Sequence, residues 1–109
     1  MKKQFVYCPI EITLDAIGGK CKPVILFHLL KGVRRYTELQ RDIPGVSQRM
    51  LTLHLKELER DGFVQRRAYP EVPPRVEYAI TAYGCSLEPI LRAMNDWGLA
   101  QARRSLPSA

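Results

Sequence analysis

TELQRDIPGVSQRMLTLHLKELERD, residues 37–61, holds two helical patterns separated by a Pro-Gly step. Thr37-Glu38-Leu39-Gln40 has the form of a capping box, in which a threonine oxygen takes the backbone N–H three residues on and Gln40 reaches back. The short helix begun there must stop at Pro44-Gly45, because proline disfavours helical backbone in the residue before it. Ser47 is suited to cap a second helix that runs to about Asp61, with Gly62 as its left-handed stop. Leu51, Leu55 and Leu58 recur at helical spacing and define the inward stripe. Arg49, Leu53 and Lys56 then face outward, Thr52 flanks them, and Gln48 and Arg49 occupy the first turn. A short capped helix, a tight turn and an amphipathic helix make a helix-turn-helix.

Upstream, Cys8-Pro9 opens a helix carrying Ile10, Leu14 and Ile17 as far as Gly18-Gly19. A further helix is expected after Lys22-Pro23, apolar nearly all round from Val24 to Leu30, and so buried. Arg34, Arg35 and Tyr36 read as a short extended connector. Downstream, residues 63–69 and 75–80 read as strands joined by Pro70-Glu71-Val72-Pro73-Pro74, with Val76, Tyr78 and Ile80 on one face. Thr81 is placed to cap a last helix through Leu87, Ile90, Leu91, Met94 and Trp97, kinked or broken near Pro89. The fold class that follows is α+β and mostly helical. It is a winged helix-turn-helix with an extra helix at each end. The expected layout is one domain over residues 1–109, with the helix-turn-helix at about 37–61 and the wing at about 63–80. The two outer helices fall at about 9–18 and 82–104.

The chain has 109 residues, enough for one modest core, which makes a partner subunit a reasonable expectation. Seventeen Lys and Arg against eleven Asp and Glu leave a net charge of +6, a balance that favours polyanionic partners. Cys8, Cys21 and Cys85 are odd in number and widely spaced, so neither a disulfide framework nor a zinc site is indicated. The opening MKKQFVYC starts like a leader peptide, but Glu11 and Asp15 interrupt the apolar stretch and no small-residue cleavage site follows. No run is long and apolar enough for a bilayer, so a cytoplasmic protein without membrane association is expected. No catalytic constellation stands out. His28 and His54 lack acidic or nucleophilic neighbours at catalytic spacing, and Gly18-Gly19-Lys20 lacks the remaining parts of a phosphate loop. No enzyme activity, cofactor or metal is expected.

A basic helix-turn-helix followed by a basic hairpin points to double-stranded DNA. Arg49 has the geometry to hold a guanine, Gln48 or Thr52 adds a polar contact, Leu53 covers a thymine methyl, and Ser47 and Lys56 complete the DNA-facing set. Arg35 and Thr37, with Arg34 and Arg41 beside them, stand at the start of the motif as phosphate contacts. Arg66 and Arg67 on the first strand, and Arg75 at the stiff tip, form a second contact surface along the backbone or in a narrow minor groove. The alternative for the last of these is an arginine paired with Glu71 or Glu77.

Three segments make the likeness to a family specific. They are Cys8-Pro9-Ile10-Glu11 through Lys22-Pro23-Val24-Ile25-Leu26, then Ile43-Pro44-Gly45-Val46-Ser47-Gln48-Arg49-Met50-Leu51-Thr52, and the tip from Tyr69-Pro70-Glu71-Val72 to Tyr78. Together with Leu87-Glu88-Pro89-Ile90, the chain resembles HxlR-type, MarR-like transcription regulators over nearly its whole length. The resemblance implies a homodimer built through the first and last helices, acting on a pseudo-palindromic operator. It also implies a reading helix that starts at Ser47 and a wing at the hairpin tip. The family usually has tryptophan where Cys21 stands, and the smaller side chain leaves room for a cavity or a ligand site. In some members a cysteine at the position of Cys8 senses electrophiles or oxidants, and the dipole at a helix start favours a thiolate there. Cys21, between two lysines, has flanking charge of the same helpful sign; the bland alternative is three inert, packed thiols. Two other functions fit the same fold: a repressor responsive to a small molecule, and a winged helix that binds only protein.

Overall fold

The computed structural model describes residues 8–105; the leader-like residues 1–7 weighed above lie outside them, as do 106–109. The element order is α1 (Pro9–Ile17), α2 (Cys21–Leu29), β1 (Arg34–Arg35), α3 (Tyr36–Asp42), α4 (Gln48–Arg60), β2 (Val64–Tyr69), β3 (Arg75–Ile80), α5 (Ala82–Cys85) and α6 (Glu88–Ser105). The strands form one antiparallel sheet in the order β1-β3-β2.

Helix α2 is the centre of the molecule. Its Ile25, Leu26 and Leu29 are fully withdrawn from water in one cluster with Leu39 of α3 and Leu51, Leu55 and Leu58 of α4. Each such leucine contributes about 1.5–3 kcal/mol by leaving water. Val64 and Tyr78 close the cluster from the sheet, with Val76 and Ile80 packed against it, so the alternation expected for β3 does point one row inward. The register Val64↔Ile80 through Tyr69↔Arg75 leaves residues 70–74 as the hairpin tip.

Several element ends differ from expectation, each for a local reason. Helix α2 begins at Cys21, two residues ahead of Pro23, since a proline within the first turn lacks only an N–H that would have no intrahelical partner. Helix α3 is capped at Arg35 rather than Thr37: Glu38 Oε1 accepts the Arg35 backbone N–H at 2.8 Å, and Gln40 takes no part. The supposed connector is strand β1, because Arg34 and Arg35 pair with Tyr78 and Glu77.

Both ends of α4 fall where the sequence puts them. Ser47 Oγ accepts the Met50 N–H at 3.1 Å and starts α4. Gly62, at φ +86°, ends it: the Gly62 N–H reaches Glu59 O and the Phe63 N–H reaches Leu58 O, the paired bonds of a Schellman motif. Thr81 does cap a helix, but only the short α5, through the Gly84 N–H at 2.9 Å. Gly84 itself lies so close to the Phe63 carbonyl that a β-carbon would collide with it. The chain breaks at Ser86-Leu87 and restarts as α6 with Pro89 in its first turn, so the expected interruption is real.

Lys22 and Glu57 join α2 to α4 through a 2.9 Å ion pair, with the Lys22 side chain 11% exposed. The Lys22 hydrogen bond, more than any other influence, holds the Glu57 carboxyl below the usual glutamate range. A depressed carboxylate stabilises the fold above its ordinary value, and that stability is lost as pH falls through the depressed one. Lys22→Met is therefore expected to lower the unfolding free energy at neutral pH by about 1.5 kcal/mol, the scale of a charged hydrogen bond. In denaturant titrations the deficit should shrink on acidification below the glutamate range; a deficit constant with pH would mean that the pair acts only through packing.

Candidate nucleic-acid interface

With Leu51, Leu55 and Leu58 turned to the core, the opposite side of α4 is committed to solvent. Gln48, Arg49, Leu53 and Lys56 are exposed there and Thr52 is half-buried at the edge. Leu53 remains 46% exposed, an apolar side chain within a polar face. Among the described residues no ion pair involves Arg49 or Lys56, whereas Arg41 and Arg60 are each held by the aspartate that follows them, at 2.9 and 3.0 Å. The outer face of α4 thus carries two cations that no carboxylate neutralises.

Its first turn is fixed from below. The Tyr36 hydroxyl lies 2.9 Å from Thr52 Oγ1 and donates to the Gln48 carbonyl oxygen at 3.2 Å. Thr52 is thereby engaged within the protein. Ser47 likewise spends its hydroxyl on the helix cap. The sequence placed Tyr36 in the extended connector, whereas it is the first residue of α3; partners 12 and 16 residues away leave no periodic trace of its contacts.

The sheet gathers a second set. Direct pairing places Arg35, Glu77 and Arg67 in one row across β1, β3 and β2, and residues opposite one another share a face. Arg66 stands instead opposite Tyr78, on the side that looks toward the core. Thr37 is exposed at the start of α3 and borders the same recess as Arg35, Pro73, Pro74 and Arg75. Arg75 is held inside the wing, 2.9 Å from Glu71 and 3.6 Å from Glu77, with its guanidinium 4.1 Å over the Tyr69 ring. This is the carboxylate pairing that the sequence left open as the alternative to phosphate.

Of the cysteines, Cys8 and Cys85 are exposed and Cys21 is buried. Burial pushes the Cys21 thiol up, against the direction expected from its flanking lysines, because desolvation penalises the thiolate. Among the described residues, no helix is long and apolar enough to cross a membrane.

A family model for the HxlR-like helix-turn-helix matches residues 16–105. The chain belongs to the HxlR-like helix-turn-helix family. Its relatives include YdeP of Bacillus subtilis (strain 168), an HTH-type transcriptional regulator 52% identical over 94 residues, which are 86% of this chain and 73% of the relative. Among solved structures, the HTH-type transcriptional regulator ytcD has a TM-score of 0.83 at 48% identity, covering 88% of this chain and 98% of that one. The redox regulator HypR in its oxidized form has a TM-score of 0.81 at 47% identity, covering 94% and 100%. The winged helix-turn-helix assignment and the transcription-regulator family read from the sequence therefore stand.

Removing the Tyr36 hydroxyl leaves the HxlR-like core intact but frees the start of α4. Tyr36→Phe is expected to cost about 1 kcal/mol of stability. It should also speed amide hydrogen exchange through the first two turns of α4, leaving that of α2 unchanged apart from the global effect; uniform acceleration would deny Tyr36 a local positioning role.

Proposed function

We propose that two copies of this chain form a transcription regulator that acts in the cytoplasm, binding a pseudo-palindromic operator in double-stranded DNA. The observation that carries this reading is the exposed face of α4, where Arg49 and Lys56 stand unneutralised beside an uncovered Leu53. A helix so presented fits the major groove, with Arg49 and Gln48 at base edges, Leu53 toward a thymine methyl and Lys56 on phosphate. Ser47 and Thr52 serve by placing that first turn, and Arg35, Thr37 and Arg67 extend the basic surface toward the backbone. Arg66 adds charge at the root of the wing. Arg75 supports the complex by holding the wing tip in shape.

The dimer is supported by what α1 and α6 leave uncovered. Ile10, Leu14, Met94 and Trp97 remain 61%, 58%, 49% and 70% exposed, although the sequence spaced them as core positions. Apolar surface of this extent on the first and last helices is typical of an interface. A two-fold assembly would set two α4 helices at matching half-sites.

A redox response through Cys8 belongs to the same proposal. Cys8 is exposed at the N-cap of α1, where its side chain makes no capping bond, and one similar structure is that of a redox regulator. Oxidation there, at the edge of the proposed dimer surface, would alter how the two α4 helices are spaced.

Footprinting on the DNA upstream of its own gene, repeated over a salt series, tests the reading. Arg49→Ala should relax preference at one base pair per half-site and cost about 1–3 kcal/mol. Arg75→Ala should weaken all sequences alike. A monomeric protein that ignores duplex DNA at low ionic strength would overturn the proposal, in favour of a protein-interaction module. For the thiol, diamide should change operator affinity in the parent and leave Cys8→Ser unaffected. Equal changes in both proteins would remove Cys8 from the mechanism.

A further inference from the structure

The hairpin tip carries the most exposed large apolar side chain among the described residues, Val72, which is 101% exposed. All five tip residues, 70–74, are exposed, and three of them are proline. Proline fixes its own φ, so the tip has little conformational freedom to lose on binding. The rest of its shape comes from the Glu71 N–H, which donates to the Tyr69 carbonyl oxygen at 2.8 Å, and from the grip on Arg75 described above. Val72 is held out into water on a narrow, stiff support, and no packing inside the chain calls for it there.

The tip offers no free cation. Glu71 is the one charged residue within 70–74, and Arg75 neutralises it at 2.9 Å. The tip nevertheless lies beside the basic surface. Pro73 and Pro74 border the recess that Arg35 and Thr37 share at the start of α3, and Tyr36 ties that start to the first turn of α4. The strands run from the Val64–Ile80 pair, which packs on the core, to the Tyr69–Arg75 pair, a reach of about 17 Å at the rise of an extended chain. Half a turn of the double helix, the step from a major groove to the next minor groove, is also about 17 Å.

We propose that Val72 enters the minor groove flanking each half-site and selects against guanine there. This assignment rests on the DNA-binding role proposed above. The minor groove is about 6 Å wide, enough for one branched side chain on a narrow tip. On its floor, G·C differs from A·T by a single group, the guanine 2-amino donor. An isopropyl group pressed onto that floor covers the amino group without offering an acceptor, and a desolvated donor left unpaired is penalised. At A·T the donor is absent, so the same contact takes apolar surface out of water without that penalty. One valine is too small to anchor a stable protein partner, whose interface buries about 1,200–2,000 Å².

Inosine makes the test specific, because it is guanine without the 2-amino group and presents the same atoms in the major groove. The footprinted duplex is prepared in three forms that differ only in the flanking pairs: A·T, I·C and G·C. The parent protein should bind the first two alike and the third about tenfold more weakly, the scale of one mismatched pair. Val72→Ala should reduce that ratio to about threefold or less. It should leave the slope of affinity against salt unchanged, since no phosphate contact is lost. Val72→Thr, of nearly equal size, brings a hydroxyl oxygen that accepts from guanine, and should bind the G·C form more tightly than the parent does. The uniform loss expected of Arg75→Ala applies among sequences that share their flanks; between flanks, that variant should lose selectivity as Val72→Ala does.

Equal affinity of the parent for all three duplexes would overturn the role of Val72 and keep the regulator. So would I·C bound as weakly as G·C, which places the discrimination in the major groove, or a ratio undiminished in both Val72 variants. A protein that binds none of the three duplexes would refute the DNA-binding reading, and this assignment with it.

Discussion

Leu51, Leu55 and Leu58 are withdrawn from water into the cluster built on Ile25, Leu26 and Leu29 of α2, and this apolar contact sets the rotation of α4 about its own axis. A helix of 13 residues is marginal by itself, so α4 owes its existence, as well as its orientation, to that burial. Turning it by one residue would rotate every side chain by about 100° and bring Thr52 or Met50 to the core in place of leucine. The outward display of Arg49, Leu53 and Lys56 follows from the inward choice of the leucines.

Polar contacts refine what burial sets. The Lys22–Glu57 pair fixes α4 against α2 on one side, and the Tyr36 hydroxyl fixes its first turn against α3 on the other. Ser47 and the Gly62 motif limit its length at both ends. The wing is stiffened separately: Arg75 is held between Glu71 and Glu77 and over Tyr69, so the tip keeps its form through its own charges. One consequence is a division of labour among the arginines. Those beside a carboxylate shape the protein, and those without one, Arg49 above all, remain available to an anionic partner.

The same core that orients α4 leaves α1 and most of α6 without cover. Only Ala16 and Ile17 of α1, and Leu91 of α6, enter the buried set. A second copy on those helices would complete a surface that the single chain cannot.

Residues 37–61 were enough, by spacing alone, to define a helix-turn-helix, because helical periodicity and the conformational limits of Pro44-Gly45 and Gly62 act over a few residues. Ser47 as a cap, the three inward leucines, the hairpin and the break before Pro89 were legible for the same reason. The likeness in the motifs supplied the family. What the sequence could not decide was anything that depends on residues distant in the chain. The pairing of Arg34 and Arg35 with β3, the move of the α3 cap from Thr37 to Arg35, the Tyr36–Thr52 contact and the Lys22–Glu57 pair all needed the elements to be packed. So did the fate of Cys21, whose flanking lysines argued for an ionised thiol until burial reversed the sign. Local chemistry sets where a helix starts and stops; only tertiary packing decides which side chains lose water, and with it which charges stay free.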